Sequence, residues 1–189
     1  MLLPGQQPGG REPAPGALRI VQRFVNTVDL EHGNDEWPDA ERLSEFLAEQ
    51  QLGDGIAVTD ADLRRAVELR EAIRTLLRVN NGLAPQPGAA AVIEHAARAA
   101  QLTVVMEPGD GGALLVAQAP GVDGALGQVV ATMFTCMADG SWRRLKACRR
   151  DVCRWAFYDH SRNRSGSWCA MAICGNRTKT RSYRQRREA

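Results

Sequence analysis

The stretch CRRDVCRWAFYDHSRNRSGSWCAMAICGNR, residues 148–177, decides how the chain is read. Four of the five cysteines fall in it, as Cys148, Cys153, Cys169 and Cys174, spaced C-x4-C-x15-C-x4-C. Two close pairs with a mid-length spacer suit a tetrahedral, all-thiolate zinc site, because each local turn supplies two thiolates and the spacer lets the pairs meet around one ion. A closed shell of four sulfurs leaves no position for water, so the one zinc per chain is expected to be structural; no convergent acid, base or nucleophile set appears in the sequence, and the chain is not expected to be an enzyme. Two disulfides are the competing reading, and they require an oxidising compartment. Cys136 falls on the apolar stripe of a helix and reads as a small buried hydrophobe.

Around the cysteines, Trp155, Ala156, Phe157 and Tyr158 are β-prone and lead out of the first pair. After Gly175 the chain is polar and free of Pro and Gly, which predicts a helix. Knuckle, short hairpin, then a helix whose first turn holds the last ligand describe a treble-clef-like finger. Trp155, Phe157 and Trp168 would form its small core.

Charge divides the chain sharply. Residues 1–142 hold ten Lys and Arg against 19 Asp and Glu, a net of −9; residues 143–189 hold 14 against three, a net of +11. An acidic body with a basic end points to nucleic acid. The candidate contacts are Arg162 and Arg164 in the loop, then Asn176, Arg177, Lys179, Arg181, Arg184, Arg186 and Arg187 on the terminal helix. Arginine neutralises phosphate and offers a two-pronged donor to guanine. Arg143, Arg144, Lys146, Arg149, Arg150 and Arg154 add to the basic surface. A basic tail that docks on the chain's own acidic part, or on an acidic partner protein, is the alternative; an RNA-binding finger is another, since arginines and aromatics suit unpaired bases.

Upstream, apolar spacing predicts a mostly helical region. Leu18, Val21, Val25 and Val28 mark a first helix over 17–30. Leu43, Phe46 and Leu47 mark a second, after a break at Trp37-Pro38. Thr59-Asp60 caps a third, with Leu63, Val67, Leu69, Ile73, Leu76 and Leu77 on its buried side, and Asn80-Asn81-Gly82 stops it. An Ala-rich helix over 89–101 precedes a hairpin of Leu102–Met106 and Ala113–Ala117. Leu126, Val129, Val130, Met133, Phe134 and Met137 form the stripe of a last helix. Asn26 and Asp29, placed within the first helix, are either a buried polar anchor or small-ligand contacts. His32 and His95 stand alone, and no phosphate loop or nucleophile motif is present.

The division follows: 1–16 a flexible Pro/Gly segment, 17–140 a helical domain, 141–189 the finger. The fold class is α+β and mostly helical, a helical domain with one β-hairpin followed by the treble-clef-like finger. No apolar run approaches the roughly 18 residues that span a bilayer, so no membrane is expected. The opening MLLPGQQPGG lacks the charged and apolar regions of a secretory signal, which predicts a cytoplasmic chain with reduced thiols.

The finger resembles the CGNR zinc fingers of bacteria, through Cys174-Gly175-Asn176-Arg177, Trp155-Ala156-Phe157-Tyr158-Asp159, Ser161-Arg162-Asn163-Arg164-Ser165 and Trp168-Cys169. Gly166-Ser167 stand where that family commonly carries basic residues. The preceding region is similar to ABATE domains, through Phe24-Val25-Asn26-Thr27 and Leu69-Arg70-Glu71-Ala72-Ile73-Arg74. This resemblance implies a bacterial, stress-related transcription regulator, nucleoid-associated. Its finger would bind double-stranded DNA, and its N-terminal domain would form a homodimer or sense a small-molecule effector.

Overall fold

The structure is a computed structural model and describes residues 5–107, 109, 112–178 and 180. The described residues form five α-helices: α1 (Leu18–Val25), α2 (Ala40–Glu49), α3 (Asp60–Asn80), α4 (Ala89–Ala99) and α5 (Gly121–Ala138). Three antiparallel two-stranded sheets punctuate them: β1–β2 (Val28–Asp29, Asn34–Asp35), β3–β4 (Leu102–Met106, Ala113–Ala117) and β5–β6 (Leu145–Ala147, Ala156–Tyr158). The architecture is α+β and mostly helical, as the apolar spacing predicts.

Local chemistry explains the helix starts. The Asp39 carboxylate accepts from the Arg42 N–H at 2.9 Å and opens α2. Thr59 and Asp62 form a reciprocal capping box at α3, each side chain accepting from the other's backbone N–H.

The first helix is shorter than its apolar spacing predicts. It ends at Val25 with Asn26 as C-cap, and Val28-Asp29 turn into the small β1–β2 ribbon. The period broke because Thr27 and Asn26 use their side chains on backbone groups, Thr27 on the Phe24 carbonyl at 3.0 Å. In α5 the stripe residues Leu126, Val129, Val130 and Met133 are buried, whereas Phe134 is exposed. Gly127 lets α5 lie against Ala100 and Ala117; a Cβ there would stand 2.3 Å from the Ala100 Cβ.

One apolar core unites α1, α2, α3, α4 and α5, with Phe24, Trp37 and Phe46 as edge-on and tilted neighbours inside it. The same core includes Leu145, Ala147, Ala156 and Tyr158 of the β5–β6 hairpin. Successive strand residues face opposite ways, so Trp155 and Phe157 point to the other side. There they join Cys148, Cys153, Cys169, Cys174 and Trp168 in a second, smaller cluster. The hairpin is therefore a wall between two cores.

Side-chain amides hold that wall at both edges. Asn26 donates to the Ala156 carbonyl at 2.8 Å and accepts from the Ala156 N–H at 2.7 Å, and Gln22 donates to the same carbonyl at 3.1 Å. From the end of α3, Asn80 donates to the carbonyls of Trp142 and Leu145, and Asn81 to those of Ala147 and Ser167. Arg74, almost wholly buried on α3, donates to the carbonyls of Val25 and Arg154 and pairs with Glu71.

Within the segment 1–16, expected to be flexible, residues 7–13 lie against the finger. Pro8 and Ala14 are buried. Arg11 stacks over the Phe157 ring at 4.7 Å and donates to the carbonyls of Tyr158 and Trp168.

Replacing Asn26 by Ala orphans the buried Ala156 N–H. We expect Asn26→Ala to cost about 1–3 kcal/mol, read as a lowered urea midpoint with unchanged slope.

Candidate metal centre and basic surface

The first cysteine pair sits in the loop that joins β5 to β6, with Arg149–Val152 between them. Cys148 continues β5, and its N–H bonds the Trp155 carbonyl at 2.9 Å, closing the knuckle. Arg154 takes a left-handed backbone, φ 48°, to turn the chain back into β6. The knuckle is thus the tip of the hairpin, whereas its sequence suggested a knuckle ahead of a hairpin.

Cys169 lies just before a π-helical turn, Met171–Gly175, that holds Cys174 and runs on into a helix. The N–H groups of both Cys174 and Gly175 reach the Ala170 carbonyl, at 2.9 and 3.3 Å. This wide turn brings the Cys174 sulfur to the cluster at the start of the terminal helix. A Cβ on Gly175 would sit 2.3 Å from the sulfur of the exposed Met171 side chain, which would have to swing aside.

All four cysteine sulfurs lie within 4.8 Å of one another, and all four residues are buried. Two of the separations are 3.7 Å (Cys153 to Cys169) and 3.6 Å (Cys169 to Cys174). A tetrahedral zinc with bonds of about 2.3 Å sets sulfurs about 3.8 Å apart, so the set fits the ion. The fifth cysteine, Cys136, is buried in α5 away from the cluster, where burial pushes its thiol up.

Electrostatics agree. Thiols of Cys153 and Cys169 donate to Cys148, with backbone N–H groups of Cys169 and Arg150 adding to them. Together they hold the Cys148 thiol far below its ordinary range despite burial. Donation to Cys148 correspondingly pushes Cys153 and Cys169 up. A metal entering this cluster must displace those protons, and as pH falls protons compete with it.

Between the cysteine pairs the chain forms a loop, residues 159–167, organised from within. Lys146 faces away from the helical core, opposite Phe157 in the ladder, and is 5% exposed. Its ammonium pairs with Asp159 at 2.7 Å and donates to the carbonyls of Arg164 and Gly166. Asp159 also accepts from the Ser161 hydroxyl and the Ser161 and Gly166 N–H groups. Burial pushes the Asp159 carboxyl up, but Lys146 and these donors prevail and hold it at about 2. A Cβ on Gly166 would stand 2.9 Å from the Asp159 carboxyl atoms. Lys146 is therefore an internal strut, although its sequence context counts it among the surface cations.

Of the sequence-predicted contacts, Arg162 and Arg164 are exposed on this loop, and Asn176 and Arg177 are exposed just past the last cysteine. Lys179, Arg181, Arg184, Arg186 and Arg187 lie outside the described residues. Arg177 does not point free: it meets Glu31 at 2.7 Å, and Arg150 meets the other oxygen of Glu31 at 2.6 Å. The Arg150 hydrogen bond, outweighing burial, holds the Glu31 carboxyl below its ordinary range. Asn26 lies at the end of α1, bound to Ala156 on both its polar atoms. Asp29 lies in β1 and accepts from the Glu31 and His32 N–H groups, with its other oxygen 2.7 Å from His32 Nδ1.

Sequence reading missed Glu31 and Asp159. The alternation Leu145-Lys146-Ala147 was the available signal for an inward lysine that needs a buried acid.

The family model of the CGNR zinc finger matches residues 144–187, and that of the ABATE domain, described as "putative stress-induced transcription regulator", matches residues 10–140. No curated protein matches the chain. Neither description names a catalytic activity.

Two outcomes follow for the centre. Elemental analysis should find one zinc per chain, lost with acidification, and Cys174→Ala should abolish it; in that variant amides of 148–178 should lose hydrogen-exchange protection while those of α3 and α5 keep theirs. Asp159→Asn leaves the buried Lys146 charge unpaired and should cost about 3–5 kcal/mol at neutral pH. Because the folded carboxyl titrates at about 2 against an unfolded value near 3.8, the wild-type contribution is complete above about pH 4. It falls away as pH drops toward 2, and the acid-unfolding profile of Asp159→Asn should lack that component.

Proposed function

We propose that the chain, which belongs to the ABATE family and ends in a CGNR zinc finger, is a DNA-binding transcription regulator whose finger grips the duplex. One observation carries this reading: positive charge is concentrated on the zinc-bearing segment, net +11 over residues 143–189. Arg143, Arg149, Arg162 and Arg164 are exposed there and pair with no acid among the described residues. Arg162, Arg164, Asn176 and Arg177 stand with them as contacts, together with Lys179, Arg181, Arg184, Arg186 and Arg187. A zinc held by the four thiolates would organise without reacting, fixing the knuckle and the helix start, while Lys146 and Asp159 order the loop that carries Arg162 and Arg164.

For the N-terminal domain we propose a sensing or self-associating role. The cavity of about 260 Å³ at its seam with the finger, lined by Pro8, Asp29, His32, Trp155 and Ile173, also opens onto Cys153, Cys169 and Cys174, so an effector bound there would lie against the metal centre. Exposed Val104, Met106 and Leu114 on β3–β4 support self-association. No helix among the described residues is long and apolar enough to cross a membrane. A regulator of this kind would work in the cytoplasm, at the nucleoid.

Docking of the basic segment on an acidic protein surface is the second reading, favoured by the Glu31 contacts to Arg150 and Arg177. Fluorescence anisotropy of the zinc-loaded chain with duplex DNA separates the two. Affinity should fall steeply from 50 to 200 mM salt, and Arg162→Ala with Arg164→Ala should flatten the logarithmic slope by about one per lost phosphate contact. Absence of binding at low salt, or stronger binding to single-stranded RNA in competition, overturns the DNA reading.

A further inference from the structure

The β1–β2 turn places one carboxylate against two arginines of the finger. Asp29 shapes the turn by accepting from the N–H groups of Glu31 and His32, at 3.1 and 3.3 Å. Glu31 is thereby presented to the finger, one oxygen to Arg150 at 2.6 Å and the other to Arg177 at 2.7 Å. Those arginines come from opposite ends of the cysteine cluster, Arg150 within the knuckle and Arg177 three residues past Cys174. Glu31 therefore ties the knuckle to the segment past Cys174 through charge, where Asn81 and Arg11 tie the two halves of the finger through backbone carbonyls.

Arg150 and Arg177 also line a cleft of about 320 Å³, with Arg149, Trp168 and Thr178 beside them. Arg149 anchors its Nε on the Asn81 carbonyl at 2.9 Å and has no acidic partner among the described residues. Three guanidinium groups around one cleft suit a phosphodiester, whose two free oxygens accept charge-assisted bonds from arginine. The Glu31 carboxylate has the same two-oxygen geometry and already holds two of the three. Asp151, in the same cleft, is tied to Arg78 at 2.9 Å and remains well exposed.

We propose that Glu31 is an internal competitor for nucleic-acid phosphate: it occupies Arg150 and Arg177 at the cleft, so that the N-terminal domain sets how tightly the finger binds. The inference rests on the DNA reading and gives its site a regulator. Any signal that moves the β1–β2 turn frees two cations at once. Binding and turn displacement are then reciprocal, since Glu31, which does not itself line the cleft, and a phosphate within it draw on the same two guanidinium groups.

Glu31→Gln keeps the shape and removes the charge. Asp54→Asn makes the same charge change at an exposed loop residue outside the cleft. Both full-length, zinc-loaded variants and the wild type are titrated into duplex DNA over a series of salt concentrations, with zinc content and circular dichroism matched; Glu31→Ala serves as a second variant. Two released ion pairs should tighten binding about three- to tenfold in both Glu31 variants, and the salt slope should steepen by about one per phosphate gained. Asp54→Asn should bind as the wild type does. Wild-type binding that Glu31→Gln leaves unchanged, or that both charge variants raise equally, overturns the competition and leaves the DNA reading standing. Failure of every variant to bind overturns the DNA reading and the competition with it.

Discussion

A two-stranded ribbon has two bare edges, and β5–β6 is buried at both. Backbone N–H and C=O groups in that position must be paired, and no third strand is there to do it. Four carboxamides take the place of strands: Gln22 and Asn26 from α1 along β6, Asn80 and Asn81 from α3 along β5. Everything else about the finger's placement depends on this. With the edges satisfied, the ribbon can offer Leu145, Ala147, Ala156 and Tyr158 to the helices and keep Trp155 and Phe157 for the cysteine cluster. The zinc-binding half is thus a layer laid on the helical domain and keyed to it by amides, and its apolar contacts cross the boundary near residue 140.

The parts legible in sequence are those set by local period and spacing. The cap at Thr59, the hairpin of Leu102–Met106 with Ala113–Ala117 and the four ligands each announce themselves within a few residues. The parts that were not legible depend on what a polar side chain meets far away in the chain. Asn80 and Asn81 read as a helix stop, and they are that, but they also clasp a strand some 65 residues on. Asn26 and Asp29 read as oddities inside a helix because nothing local reveals that the helix ends at Val25. Lys146 read as a surface cation because most lysines are; only its acid, Asp159, makes burial affordable.

Charge was legible in sum and not in place. Of the cations around the cysteines, Lys146 is internal and Arg144 is spent on the carbonyls of Asp159 and Ser161. Arg150 and Arg177 are committed to Glu31. Arg143, Arg149, Arg162 and Arg164 are exposed and pair with no acid among the described residues. Net charge therefore overstates the surface that a polyanion meets: two of these cations are withdrawn by the finger's own loop and two by Glu31 of the acidic region.

The strut from Lys146 to the carbonyls of Arg164 and Gly166 has a consequence for entropy. Those bonds, with the Asp159 cradle, fix the backbone of a nine-residue loop before anything binds. A loop that must be ordered on contact charges each of its residues to the affinity; one already ordered does not. Arg162 and Arg164 then give up only the freedom of their own side chains on meeting a partner. Preorganisation of this kind favours slow dissociation, and it comes from a buried ammonium that never touches the partner at all.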